Sequence, residues 1–155
     1  MSSATRERRA LVAKAVFWIG TIGDGLLAVE WFAVSLGLVR WPIVPSFFVG
    51  ESEPYRYAMG VGALFMLGWT VVLYWGSRRP LQRRGLLLIT GLLLLLAIFV
   101  ELLGYTVTFP GLQTYNQMFW GIVLKGCLVL QFLFAYWYCA DRGSERDATA
   151  GGPRS

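Results

Sequence analysis

The chain has no histidine among its 155 residues. That absence excludes imidazole-ligated haem, histidine-containing metal sites and the Ser–His or Cys–His pairs of nucleophilic catalysis within this chain. There are only two cysteines, Cys127 and Cys139. Both fall in one helical stretch, about 18 Å apart by rise, too far to pair with each other. Cys127 reads most simply as a small buried apolar residue. No glycine-rich strand–loop–helix signature for cradling phosphate is present. Charge is scarce too. Charged residues make up 15% of the chain, where a soluble domain carries about 25%. An ordinary water-facing surface cannot be built from that supply.

What is present instead is apolar length. Hydrophobic residues form 56% of the chain and there are seven tryptophans. Four stretches, residues 11–38, 57–75, 85–107 and 118–140, are each long enough as helices to cross a hydrocarbon core of roughly 30 Å. The third is the plainest: between Leu86 and Val100 only Thr90 and Gly91 interrupt aliphatics and Phe. Arg6, Arg8, Arg9 and Lys14 could open a cleaved signal peptide. The first run nevertheless continues past Asp24 and Glu30 without a good small-residue cleavage site, so a retained helix is expected. The expected fold is an all-α, four-helix integral membrane bundle in a single domain. Residues 1–10 form a leading cytoplasmic segment and residues 141–155 a polar, disordered cytoplasmic tail.

Orientation follows from the basic residues. Arg6, Arg8, Arg9, Lys14, Arg78, Arg79, Arg83, Arg84, Arg142, Arg146 and Arg154 fall on one side of such a bundle, and only Arg40 and Arg56 on the other. The positive side is the cytoplasmic one, so both termini are expected there, in a cell inner or plasma membrane. The same clustering at span ends accounts for the net charge of +5 without nucleic acid. Aromatic residues mark the two edges: Trp41, Phe47, Phe48, Tyr55, Tyr57, Tyr105, Phe109, Tyr115, Phe119 and Trp120 outside, and Tyr74, Trp75, Tyr136, Trp137 and Tyr138 inside. Anchoring in the headgroup region is the simplest role for them. The outer loop, residues 39–56, is longer than a hairpin needs. Pro42, Pro45 and Pro54 stiffen it, and it could lie in the interface or cap the bundle.

Four ionisable residues interrupt the spans: Asp24, Glu30, Glu101 and Lys125. At a helix centre each costs roughly 2.5–3.5 kcal/mol facing lipid, so they are expected to face one another or a cavity. By helical rise, Glu30, Glu101 and Lys125 fall at one depth, about 4–8 Å outside the midplane, with Asp24 nearer the centre. On the third span Thr90, Leu94, Ala97, Glu101, Tyr105 and Thr108 form one stripe by steps of three and four. On the first, Gly23, Glu30 and Gly37 repeat every seven residues, a spacing that would admit a close neighbour. Ala58 and Gly62 make a small-xxx-small pair of the kind that brings two helices together. Lys125 is expected to pair with Glu101 or Glu30. The remaining acids are then protonated, hydrated or matched to a cation, or the pair merely fixes helix register.

Four spans with intramembrane acids resemble, in outline, small multidrug-resistance transporters and sterol-isomerase-like EXPERA bundles. The long outer loop and basic inner loop depart from the first pattern, and the missing histidine from the second. No family is assigned from the sequence. The expected function is binding or carrying a small amphipathic or cationic molecule, with proton coupling through intramembrane carboxylates. Asp24, Glu30, Glu101, Lys125 and Tyr105 are the ligand- or proton-binding residues, with no catalytic residue, metal or cofactor. The alternative is a non-catalytic accessory subunit of a larger membrane complex. Less favoured is an enzyme acting on a lipid-like substrate with Glu101 as general acid. Expected partners are the lipid bilayer, a small-molecule ligand, and a homodimer or larger membrane complex.

Overall fold

The computed structural model describes residues 3–39, 52–103 and 115–140, the side chains of residues 115–118 excepted. Within them the chain is all-helical: α1 (Ser3–Ser35), α2 (Glu53–Ser77), α3 (Gly85–Leu103) and α4 (Tyr115–Cys139). Each helix is long and apolar enough to cross a bilayer. Residues 104–107, expected to complete the third span, the outer-loop residues 40–51 and the tail lie outside the described residues.

Local chemistry sets the boundaries. α1 begins eight residues before its apolar run, because Ala4, Arg6, Glu7, Arg8, Arg9 and Ala10 are good helix formers. Its 33 residues span about 50 Å, well beyond a hydrocarbon core. It stops at Gly37, which adopts φ +71°. There the Gly37 N–H donates to the Val34 carbonyl at 3.0 Å and the Leu38 N–H to that of Ala33 at 2.9 Å, a Schellman ending that glycine accommodates best. Gly37 therefore terminates α1, and the close neighbour that its seven-residue spacing suggested is a side chain of α2. The Arg56 guanidinium lies against Gly37, where the negative end of a helix favours a cation. α2 opens with Ser52 in an extended conformation, Glu53 in the first turn and Pro54 among its first residues; each suits a helix start. Pro80 follows its end and prevents continuation into α3.

The helices pair as α1 with α2 and α3 with α4, and the two hairpins meet along α1 and α4. The core that joins them lies at the end that carries the basic residues, here the basic end. It contains Ala13, Val16 and Phe17 of α1, Leu73 of α2, Leu87 of α3, and Phe132, Ala135 and Cys139 of α4. Glycines permit the approach. A Cβ on Gly20 would sit 2.8 Å from the Phe132 ring and 2.9 Å from Leu73, and one on Gly76 would meet Phe17 at 2.5 Å. Polar contacts tie the same end together. Arg84 donates from Nη1 to the Cys139 carbonyl at 2.9 Å, and the Cys139 thiol donates to the Arg9 carbonyl at 3.3 Å. A second, smaller cluster of Val34, Tyr55, Met59 and Trp31 holds α1 to α2 at the far end.

One packing expectation needs correction, and another is met within the chain. Among the described residues, its chain neighbours and own helix backbone aside, no heavy atom comes within 4 Å of where a Gly23 Cβ would be, so no close neighbour meets it there. Gly62 is filled from within the chain by the Trp31 ring, 2.6 Å from a Cβ placed there, while Ala58 is exposed. The close approach at Gly62 is an α1–α2 contact of this chain.

Candidate functional site

The plug formed by Gly20, Leu73 and Phe132 gives a common reference for depth. Asp24 lies four residues beyond Gly20 on the same face of α1, the face where α1 meets both α2 and α4. It is about 6 Å past the plug by helical rise. On α2, Thr70 continues the face of Leu73, and its methyl stands 3.5 Å from where a Gly25 Cβ would be. On α4, Leu128 and Lys125 continue the face of Phe132, which places Lys125 about 10 Å past the plug. Asp24, Thr70, Leu128 and Lys125 are all half-buried. By helical spacing these four residues follow the plug faces of α1, α2 and α4 towards the far end, and this stretch is the notch.

An ion pair lies at the far end of this stretch. The Lys125 ammonium donates to Oε1 of Glu101, across the α3–α4 seam, with the two side chains 22% and 19% exposed. This shielding is what allows two charges to persist among apolar helices. Lys125 was expected to pair with Glu101 or Glu30, and it pairs with Glu101. Glu30 is half-buried on α1, about 15 Å past the plug and so about 5 Å beyond the level of Lys125. It sits about 120° around the helix from Asp24, away from Gly20's face. Thr90 is buried and Leu94 and Ala97 half-buried, as the stripe through Glu101 requires. Tyr105 and Thr108 lie outside the described residues.

Asp24 has a different environment. Thr21 and Thr70, the hydroxyls nearest to it in sequence or across the seam, donate to the carbonyls of Phe17 and Met66, each at 2.8 Å. Such bonds to the preceding turn satisfy a hydroxyl inside its own helix. Among the described residues no cation and no donor meets the Asp24 carboxyl. An acid on the notch face without a counter-charge is the feature a cation or proton would complement.

Cys127 proves to be exposed. Lipid-facing and buried positions on such a helix are both apolar, so its composition could not distinguish them. Thr70 and the plug residues were not singled out from sequence. Thr70 carried a usable signal, as a polar residue deep in a span with no charge; Leu73 and Phe132 carried none. Among the described residues no cluster of potential metal ligands occurs. Comparison of the chain with protein-family models, curated proteins and solved structures finds no match.

At the basic end two arginines are stacked on aromatic rings of α2. Arg83 lies over Trp75, 3.2 Å from the ring centre, and also donates to the Trp75 carbonyl. Desolvation, then repulsion from Arg79 and Arg78, pulls the Arg83 pKa below the ordinary arginine value. It remains a cation at any physiological pH.

Proposed function

We propose that this protein binds, and carries within the membrane, a small amphipathic cation, with Asp24 as its anionic contact and the notch above Gly20, Leu73 and Phe132 as its seat. The observation that carries this reading is the contrast between the two acids of the notch. Glu101 is held by Lys125, whereas Asp24 meets no cation among the described residues. An apolar floor with one acidic contact suits a ligand that is part hydrocarbon and part positive charge. Protons compete for the same carboxyl, which couples occupancy to pH. In this reading the basic end and both termini face the cytoplasm of a cell inner or plasma membrane.

The test is equilibrium binding of tetraphenylphosphonium to the full chain in nanodiscs. Asp24→Asn keeps the shape and removes the charge, so saturable binding disappears while helix content and melting are retained. Equal binding by wild type and Asp24→Asn refutes the proposal. The accessory-subunit reading draws on Gly23, Gly68 and Gly126, where a Cβ would meet no neighbour within 4 Å among the described residues, since small residues let another helix approach closely. Under it, Asp24→Asn is silent and a membrane partner, or a second copy, co-purifies.

A further inference from the structure

The α1–α2 seam at the basic end carries an arrangement that the notch does not use. Trp18 of α1 and Tyr74 of α2 meet edge to face across the seam, ring centres 5.8 Å apart and planes at 78°. Both rings remain about 40% open, so they form a surface feature and not part of the core. One turn towards the basic end stand Lys14 on α1 and Arg78 on α2, both exposed. Arg78 donates from Nη2 to the Tyr74 hydroxyl at 3.2 Å and lies 5.1 Å from that ring's centre. The contact holds the guanidinium at the seam and leaves N–H groups beyond the one it uses.

Steps of three and four residues in the opposite direction give an apolar track. It comprises Ile22 and Leu26 on α1 and Val71 and Leu67 on α2, all exposed. From Lys14 to Leu26 the seam runs about 18 Å, close to the depth of one leaflet of a roughly 30 Å hydrocarbon core. We propose that this seam binds one anionic phospholipid, its phosphate held by Lys14 and Arg78, its glycerol region at Trp18 and Tyr74, and an acyl chain along Ile22, Leu26, Val71 and Leu67. Cations select a negative headgroup, and Arg adds bidentate geometry to phosphate oxygens. A soluble anion gains nothing from the track, and a polar macromolecule cannot follow it into hydrocarbon.

The neighbouring arginines are engaged differently: Arg83 with Trp75 and its carbonyl, Arg84 with the Cys139 carbonyl. Arg79 is exposed in the turn beyond α2 and off the track, which makes it a matched control. The site is independent of what the notch carries.

Native mass spectrometry of the full chain in detergent, titrated with phosphatidylglycerol or phosphatidylcholine, tests the proposal. Wild type retains one phosphatidylglycerol in preference to phosphatidylcholine. The double variant Lys14→Gln, Arg78→Gln retains it about thirtyfold more weakly, the loss expected for two interfacial cations. Arg79→Gln binds as wild type, and melting in lipid-free detergent confirms that all three chains are folded. Val71→Asn weakens retention without changing charge. Equal retention by the double variant overturns the proposal, and so does an equal loss in Arg79→Gln, which would mark a diffuse charge effect. Inorganic phosphate competing at the same concentration as the lipid would also overturn it.

Discussion

Lys125 gives its ammonium to the Glu101 carboxylate across the α3–α4 seam, and each is about one-fifth exposed. Removing one member leaves the other charge without its partner. Lys125→Met is therefore expected to destabilise the protein by about 3 kcal/mol, the lower end for a buried pair. Adding Glu101→Gln should recover part of that loss. Unfolding of the four chains of this double-mutant cycle in one detergent measures the coupling. A coupling energy of zero would mean that the pair does not stabilise the fold.

Gly20 and Gly23 make a second, comparative prediction. A methyl at Gly20 meets Phe132 and Leu73 below 3 Å, whereas one at Gly23 meets no neighbouring helix among the described residues. Gly20→Ala should cost about 1–3 kcal/mol through overpacking. Gly23→Ala should be neutral, or gain up to about 1 kcal/mol from helix propensity. Melting temperatures in detergent read both, and a reversed order would show that the plug is packed differently.

Gly37 offers a third. Its φ of +71° costs a residue with a Cβ about 1–2 kcal/mol, and the Arg56 guanidinium occupies the space a Cβ would need. Gly37→Ala should lower stability by at least that amount. In an Arg56→Ala background only the backbone part of the cost should persist. If the cost is unchanged by Arg56→Ala, the guanidinium does not crowd the α1 ending.

Orientation can be measured directly. On a background with Cys127 and Cys139 replaced, Ser52→Cys should react with an impermeant maleimide added to intact cells. Gln82→Cys, in the exposed turn after α2, should react only after the membrane is opened. Ser77, though nearer the end of α2, is buried and donates to the Tyr74 carbonyl at 2.7 Å, which makes it a poor reporter. The opposite labelling pattern would place the basic end outside.

The helices were legible because apolar runs bounded by Arg and Pro leave little choice of span. That Lys125 pairs with Glu101 or Glu30 was legible because the three charges fall at one depth by rise alone; which of the two acids it takes was not. What was hidden is which apolar face is inside. Lipid tails are as apolar as leucine, so the burial of Leu73 and Phe132 and the exposure of Leu26 and Cys127 leave the same mark on composition. Glycine misled for the same reason: Gly20 and Gly23 sit in similar surroundings in the chain, yet only one receives a ring. Asp24 was recognisable as an acid in a span. Its place one turn above the plug depends on the Gly20–Phe132 contact, which nothing in the sequence marks.

The pairing of α1 with α2 and of α3 with α4 has a consequence for biogenesis. Each hairpin joins consecutive segments, so each can close as soon as its second helix leaves the ribosome and enters the bilayer, with little loop entropy to overcome. Joining the hairpins is a later event. It must seat Phe132 against Gly20 and bring Arg9 to Cys139, contacts between residues far apart in the chain. Synthesis of the first two helices alone should therefore yield a stable inserted hairpin, and the step vulnerable to quality control is the docking of the second onto it.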